Sequence, residues 1–233
     1  MKDERPLVAV DVVIFSLHAN NRPSNSLSLD LNVLLVQRDY APYLGVWALP
    51  GHVISLNESL EDAARRIMNE KAHGQDLYLE QLFTFGEVRR DPRARVVSVT
   101  YFALVRQEQI EVRPGAAWHS MYALPDLAFD HHKILEYAHK RLRFKLEYTA
   151  VAFELMPETF TLRELQEAYM VILNDQRLDK ANFRKKLRPK DAETDSIVEP
   201  TGMYRRTRGR PAELYRFRED AKRREIKARR LFP

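Results

Sequence analysis

The stretch from Leu49 to Gly74 constrains the fold of this chain more than any other part of its sequence. Leu49-Pro50-Gly51 interrupts regular structure, and Ser59 with Asp62 three residues later is typical of a helix start. Four residues then recur at helical spacing and predict a buried stripe: Leu60, Ala63, Ala64 and Ile67. The sequence therefore predicts a tight loop followed by one amphipathic helix.

This stretch resembles the Nudix box, the loop–helix signature of hydrolases that cleave nucleoside diphosphates linked to another group. The family pattern is Gly, five residues, Glu, seven residues, Arg-Glu, an apolar residue, any residue, Glu-Glu, any residue, Gly. Glu58, Arg66 and Glu70 match this pattern. Four positions depart from it, where His52, Ile67, Lys71 and His73 replace Gly, Glu, Glu and Gly.

These departures from the family pattern remove side chains that could bind a metal ion. Mg²⁺ requires hard oxygen ligands in near-octahedral geometry, which Ile67 cannot supply, and Lys71 adds a positive charge where the metal would sit. We therefore expect no metal, no catalytic residue and no enzymatic activity at this degenerate box. Two alternatives stay open: a plain amphipathic surface helix, and a different metal site drawn from Glu58, Glu61, Asp62 or Glu70.

The composition limits the classes of protein to which this chain can belong. The 233 residues suffice for one or two domains and contain no cysteine, which excludes disulfides and thiolate metal sites. Residues 141–233 hold 23 Lys+Arg and 15 Asp+Glu, whereas residues 1–140 hold 15 and 18. A basic C-terminal part predicts that this half meets a polyanion. The chain shows neither a signal-peptide pattern nor a long apolar run, so we expect a soluble cytoplasmic protein with no membrane partner.

Strands are predicted before and after the box. Leu7–Leu17 and Asn32–Arg38 read as two strands that could form a hairpin across a loop at 20–28, and Leu77–Gly86 and Val96–Val105 read as two more. Four arginines, at 89, 90, 93 and 95, lie between the second pair. They could bind phosphate in bidentate fashion or form a solvated hairpin tip.

The C-terminal part has the outline of a winged helix-turn-helix. Thr161 with Glu164 forms a capping box, and Asp179 caps a second short helix anchored by Phe183 and Leu187. That helix directs Lys180, Asn182, Arg184 and Lys185 outward as candidate DNA contacts. In the wing that follows, Arg205 and Arg206 are expected to contact phosphates and Arg208 and Arg210 the minor groove. The alternative is a small helical domain with a solvated basic face.

Three segments are similar to one narrower group, the Nudix-related transcriptional regulators called NrtR. They are TFGEVRRDPRARVVSVTYFALV, the Leu-Ala-Phe-Asp-His run at 127–131, and RGRPAELYRF. The resemblance implies an α/β (α+β) chain: an N-terminal Nudix-like α/β/α sandwich with a mixed sheet, then a winged helix-turn-helix. The expected boundaries are 1–128 for the effector domain, 129–148 for a connector helix, 149–218 for the DNA-binding domain and 219–233 for a basic tail.

The resemblance also implies a ligand and partners. The usual effector of the group is ADP-ribose and its usual targets are genes of NAD metabolism, so we expect a homodimeric, DNA-binding repressor with no required cofactor. Candidate ligand-binding residues are Arg38, Tyr43, Lys71, Phe85, Arg89, Arg93 and Arg95. The connector helix, capped by Asp130, is a candidate lever, and His131 and His132 are expected to cap or pack rather than bind metal. The alternatives are an active ADP-ribose pyrophosphatase, a sugar (arabinose)-responsive regulator, and a structural partner-binding protein.

Overall fold

The computed structural model describes residues 5–19, 29–73, 77–148, 151–175, 178–179, 181, 183, 187, 196–206 and 209–219, with the backbone alone at 71–73 and 147–148. Its contacts divide the chain into two compact units. One comprises Met1–Ser16 and Leu31–Arg141, and the other comprises Leu17–Asp30 and Leu142–Pro233. The predicted loop at 20–28 lies outside the described residues. No helix in the described segments is long and apolar enough to cross a bilayer.

The first unit is built on a mixed sheet, as predicted. The strand order across this sheet is β3 (Trp47–Ala48), β2 (Leu29–Gln37), β1 (Leu7–Ala19), β7 (Val96–Leu104) and β6 (Tyr78–Phe85). β1 and β7 are parallel, from Leu7 opposite Val96 to Phe15 opposite Leu104. β4 (Gly51–Val53) pairs antiparallel with β1, and β9 (Ala116–Ser120) pairs antiparallel with β2. β5 (Ala72–His73) and β8 (Glu111–Val112) form a separate two-stranded sheet.

Helix α1 (Leu60–Lys71) confirms the predicted loop–helix. The Ser59 hydroxyl accepts a hydrogen bond from the Asp62 amide at 3.1 Å, and the Ala63 amide donates to the Ser59 carbonyl at 2.9 Å. Ile67 and Met68 on its inner face are 2% exposed and join the core formed with β1 and β7. The apolar stripe read from the sequence is thus what holds α1 on the sheet.

Helix α2 (His131–Tyr148) begins one residue after Asp130 and continues from the first unit into the second. Ile134, Leu135 and Ala138 in its first half are fully buried. The Tyr137 ring lies 5.0 Å from the Phe83 ring of β6, so α2 also contacts the edge of the sheet. A helix is therefore present where the sequence predicted one, and its role as a connector stays a prediction.

The second unit carries the predicted helix and wing. α3 (Leu162–Leu173) begins with a complete Thr161–Glu164 capping box. Phe183 and Leu187 are buried, and the Phe183 ring lies 5.3 Å from that of Tyr169. β10 (Val198–Arg205) and β11 (Ala212–Phe217) pair antiparallel. Four of the predicted DNA contacts, Lys180, Asn182, Arg184 and Lys185, lie outside the described residues, as does Arg208.

Candidate binding sites

A cavity of about 470 Å³ opens in the first unit, where β1, β4, the 90–96 segment and the start of α2 meet. Cationic and aromatic side chains are prominent in its wall. It is lined by Leu7, Ala9, Asp11, Arg38, Tyr40, Leu49, Gly51, His52, Val53, Arg90, Asp91, Arg93, Ala94, Val96, Phe129 and His131. The size and the mixture of aromatic and charged groups suit a polar, anionic small molecule.

Arg90 is the centre of a buried polar cluster beside this cavity. Its guanidinium donates to the two carboxylate oxygens of Asp130 at 3.0 and 2.8 Å, and to Asp11 Oδ2 at 3.3 Å. The Ser98 hydroxyl donates to the same Asp11 oxygen at 2.5 Å. Burial alone would lower the pKa of Arg90, but the hydrogen bonds and charges of Asp130 and Asp11 outweigh it and raise that pKa. Arg90 therefore stays cationic inside the protein.

His131 closes the cluster as a neutral ring. Its Nδ1 accepts a hydrogen bond from the Leu49 amide at 2.9 Å, so a neutral imidazole carries its proton on Nε2. Nε2 lies 3.9 Å from Asp11 Oδ1. Complete burial lowers the pKa of His131, and the nearby Asp11 carboxylate opposes that effect only in part. The buried ring thus connects the Leu49 loop to the first residue of α2 and lies close to Asp11 of β1.

Arg38 and Phe129 form the aromatic side of the cavity. The Arg38 guanidinium lies 4.4 Å from the Tyr40 ring centroid and 4.7 Å from that of Phe129, and its Nε donates to the Pro42 carbonyl at 2.8 Å. The Tyr43 ring meets the Phe129 ring edge-on at 4.8 Å. Such cation–π stacking helps to hold Arg38 in place, and no carboxylate among the described residues pairs with it.

Arg93 is held at the cavity wall by Asp91. Its Nε and Nη2 donate to the Asp91 carboxylate at 3.0 and 2.7 Å. The hydrogen bond from Arg93 lowers the pKa of Asp91, and the same bond raises the pKa of Arg93. The Arg93 side chain is nevertheless 48% exposed, so it can still reach an incoming anion.

The two matching glutamates of the degenerate Nudix box form ion pairs with its arginine. Arg66 donates to both oxygens of Glu58, at 3.0 and 2.8 Å, and to Glu70 at 3.1 Å. The Ser55 amide donates to Glu58 Oε1 at 2.7 Å. The hydrogen bond from Arg66, followed by the one from Ser55, lowers the pKa of Glu58 to about 2. Glu58 therefore stays ionised near neutral pH, and both of its oxygens accept hydrogen bonds.

A Mg²⁺ ion does not fit the described residues of this box. Ile67 is buried in the core and has no oxygen to offer, and the two matching glutamates already bind Arg66. In the part of the chain that the structure describes, no group of three His, Cys, Asp or Glu side chains could hold a metal ion. Because hard cations need several oxygen ligands, no hydrolytic step can be derived through a metal at this place.

The wing presents arginines with different partners. Arg205 Nη1 donates to Glu164 of the α3 capping box at 2.5 Å, and Arg216 Nε donates to Glu199 at 2.7 Å. Arg206 and Arg210 are exposed beside the wing turn. This end of the hairpin therefore concentrates positive charge on solvent-facing positions, as a nucleic-acid contact requires.

Two family models match the chain in the order expected from the sequence. A NUDIX domain matches residues 8–138, and the NrtR DNA-binding winged helix domain matches residues 152–217. The ADPR responsive transcriptional repressor NtrR of Acinetobacter baylyi is 39% identical over 220 residues, which span 91% of this chain and 82% of the relative. The chain belongs to the NrtR family.

Solved structures show the same arrangement. The crystal structure of Shewanella oneidensis NrtR complexed with a 27mer DNA is 36% identical, with a TM-score of 0.75 and coverage of 94% of this chain and 97% of that chain. The NUDIX domain of the same protein, complexed with ADP ribose, is 35% identical over 60% of this chain and 90% of that chain, with a TM-score of 0.50. The fold and the regulator architecture expected from the sequence are confirmed.

An enzyme is also among the relatives. The ADP-ribose pyrophosphatase of Methanocaldococcus jannaschii is 29% identical over 134 residues, which cover 56% of this NrtR-family chain and 72% of the enzyme. The match covers about as many residues as the NUDIX domain model.

The predicted ligand-binding residues do not all meet at the cavity of this NrtR-family chain. Arg38 and Arg93 line it, and Tyr43 reaches it through Phe129. Phe85 packs against Phe83 and Tyr137 instead, 5.4 and 6.0 Å away. Two arginines lie outside the lining: Arg89 is exposed, and Arg95 donates to the Glu87 carbonyl at 3.1 Å. The side chain of Lys71 lies outside the described residues.

The sequence did not predict four residues of the site, three of which (Asp11, Arg90 and His131) are buried. Asp11, Arg90, Phe129 and His131 were not among the predicted ligand-binding residues, yet all four line the cavity. One signal was available, because Asp11 is the single charged residue in the apolar run Leu7–Leu17. A buried carboxylate needs a partner, and this one required a buried cation somewhere in the chain.

Proposed function

We propose that this chain is a transcriptional repressor whose Nudix domain binds ADP-ribose as an effector and does not hydrolyse it. The observation that carries the proposal is the cavity, where three arginines and two aromatic rings lie beside a box that lacks a metal ligand set. The DNA-binding architecture of the NrtR family supports the regulatory half. No metal or other cofactor is required in this proposal.

The chemistry of ADP-ribose matches the cavity wall. Its pyrophosphate is an anion that arginine binds in bidentate fashion, and Arg38 and Arg93 are the accessible donors. Its adenine and ribose need an aromatic or apolar surface, which Tyr40 and Phe129 supply. Arg89, Arg95 and Phe85 then have supporting roles outside the lining, and Lys71 replaces part of the charge of the missing metal.

DNA binding is proposed to use two copies of the chain. A winged helix reads a short half-site, and a two-fold dimer presents two of them at a fixed spacing. The side chains proposed to contact DNA are Lys180, Asn182, Arg184 and Lys185 of the recognition helix and Arg205, Arg206, Arg208 and Arg210 of the wing. We propose genes of NAD metabolism as the targets, and the cytoplasm, where the chromosome lies, as the compartment.

Two titrations test this function. ADP-ribose is titrated into the protein by isothermal calorimetry with Mg²⁺ present, and a saturable isotherm that returns to baseline is expected. A labelled duplex, selected by the protein from random sequence, is then titrated by fluorescence anisotropy with and without ADP-ribose. A change of about 5- to 150-fold in DNA affinity is expected for ordinary allosteric coupling. An unchanged affinity would contradict the proposal.

The second candidate is an active pyrophosphatase joined to a DNA-binding domain, favoured by the likeness to the Methanocaldococcus jannaschii enzyme. This activity predicts persistent heat after each calorimetric injection and Mg²⁺-dependent release of AMP. Chromatography of the titrated mixture separates AMP from ADP-ribose. The appearance of AMP at a rate proportional to protein concentration would show that the protein hydrolyses ADP-ribose rather than only binding it.

A further inference from the structure

The start of α2 is held by residues of the cavity. Phe129 stacks against Arg38, Asp130 accepts two hydrogen bonds from Arg90, and His131 accepts one from the Leu49 amide. These three consecutive residues, the 129–131 segment, lead directly into α2. The Ile134 amide donates to the Asp130 carbonyl at 3.2 Å, so the position of Asp130 sets the first turn of the helix.

The 129–131 segment is also in a conformation that its surroundings must maintain. Phe129 has a φ of 55°, in the left-handed region that is unfavourable for a bulky side chain. The Tyr43 ring and the Arg38 guanidinium pack against the Phe129 ring at 4.8 and 4.7 Å. A ligand that draws Arg38 away removes one of these supports.

Of the three arginines around the cavity, two are held in ion pairs within the described part of the chain. Three arginines (Arg38, Arg90 and Arg93) stand against three aspartates (Asp11, Asp91 and Asp130), so the formal charges cancel. Arg90 and Arg93 are bound to carboxylates, and among described residues Arg38 has no ion-pair partner. A doubly charged pyrophosphate that binds Arg38 must therefore compete with an aspartate for a second arginine, and Arg90 lines the same cavity as Arg93.

We infer that the Arg90–Asp130 ion pair is the coupling element between the cavity and α2: an anionic ligand draws the Arg90 guanidinium away from Asp130 and releases the first turn of the helix. Asp130 does not line the cavity, so it is a positioning residue that acts through Arg90. α2 continues into the unit that holds the winged helix, and a change at its first turn is carried along its length. This inference rests on the proposed function and names its regulatory step.

The test uses Asp130→Asn in the full-length chain. This change removes the charge that competes with the ligand but keeps the shape, and Arg90 still has Asp11 as a partner. ADP-ribose affinity and DNA affinity are measured for wild type and variant, each with and without the other ligand. Glu136→Gln, which removes an exposed carboxylate from the same helix, is the matched control.

The inference predicts that Asp130→Asn binds ADP-ribose about 5-fold or more tightly than wild type, because Arg90 no longer has to leave Asp130. Its DNA affinity without ligand should equal that of ligand-bound wild type and should change less than 2-fold on adding ADP-ribose. Glu136→Gln should respond like wild type. A purely structural role of Asp130 would weaken the binding of both ligands.

The outcomes separate the inference from the function on which it rests. If ADP-ribose does not change the DNA affinity of the wild type, both the inference and the proposed function are overturned. A responding wild type with an equally responsive Asp130→Asn overturns the inference alone. If the variant does not fold, the inference is tested instead by hydrogen exchange of the wild-type backbone amides at 131–136, measured with and without ADP-ribose. ADP-ribose should reduce their protection at least several-fold, and unchanged or increased protection overturns the inference.

Discussion

Gly51 lies directly against Asp11: a Cβ added at Gly51 would be 2.0 Å from Asp11 Oδ1 and 3.1 Å from the Val10 carbonyl. Asp11 cannot move aside freely, because its other carboxylate oxygen accepts hydrogen bonds from Ser98 and Arg90. β4 can therefore pair with β1 at this point only through a residue without a side chain. The Pro-Gly before the box is thus a packing requirement as well as a turn.

Gly51→Ala should lower the free energy of unfolding by about 1–3 kcal/mol through overpacking, and should weaken ADP-ribose binding. Urea denaturation and calorimetry measure the two effects. Gly209→Ala is the control, because a Cβ there meets no atom within 4 Å, and its stability should match wild type. Wild-type stability in Gly51→Ala would show that the β1–β4 contact is looser than described.

Ile67→Glu should destabilise the protein by about 3 kcal/mol or more, because it places a carboxylate in the core. Thermal melting with and without Mg²⁺ is the measurement. Mg²⁺ should not restore stability, since Glu58 and Glu70 remain bound to Arg66. Ile67→Leu, which conserves volume, should cost less than about 1.5 kcal/mol. A Mg²⁺-dependent rise in melting temperature for Ile67→Glu would reveal a latent metal site.

His131 should make the protein less stable as pH falls. Burial lowers its pKa in the folded state, so below the unfolded value near 6.5 the unfolded chain binds a proton that the folded chain does not. The free energy of unfolding should fall by up to about 1.4 kcal/mol per pH unit from this group, until the lowered folded pKa is reached. Above about pH 7.5 the effect is absent.

His131→Asn tests this dependence by urea denaturation between pH 7.5 and 5.5, because an asparagine oxygen can still accept from the Leu49 amide. The slope of stability against pH should be flatter in this variant than in wild type. His132→Asn, which changes an exposed residue of the same helix, should keep the wild-type slope. Equal slopes for wild type and His131→Asn would show that this histidine does not control acid stability.

Arg206 should contribute more to DNA binding than Arg205. Arg205 is engaged by Glu164, whereas Arg206 has no ion-pair partner in the described part of the chain and is exposed. Arg206→Ala should weaken binding similarly for all DNA sequences and reduce the slope of log affinity against log salt by about 1. Arg216→Ala is the control, since Glu199 already pairs with Arg216. Arg205→Ala should weaken binding less than Arg206→Ala, and an equal loss in these two variants would contradict the prediction.

Local patterns predicted the elements of this protein well. The capping pairs Ser59–Asp62 and Thr161–Glu164, the stripe containing Ile67, and the wing strands all have the expected structure. Each of these depends on residues three to five positions apart or on strand alternation, which are properties of a short segment. The regulator was predicted from the three segments that resemble the NrtR group, and the missing carboxylates of the box add the prediction, still untested, that this domain is not a hydrolase.

The site could not be predicted in the same way. Four neighbouring arginines look equivalent in sequence, yet Arg90 is buried while Arg89 is exposed. The difference arises because Asp11 and Asp130, which lie 79 and 40 residues away from Arg90, meet it in the fold. Similarly, Phe85 contacts Tyr137 because β6 and the second turn of α2, which are far apart in the sequence, meet in the fold.

The sequence by itself therefore determined the two-part architecture and the helices and wing, since these follow from local spacing and side-chain type. Only the tertiary structure decided which arginine is buried, why Gly51 must be glycine, and that the residues leading into α2 are held by the cavity wall. Those features depend on contacts between distant segments, and burial makes their charges and hydrogen bonds decisive.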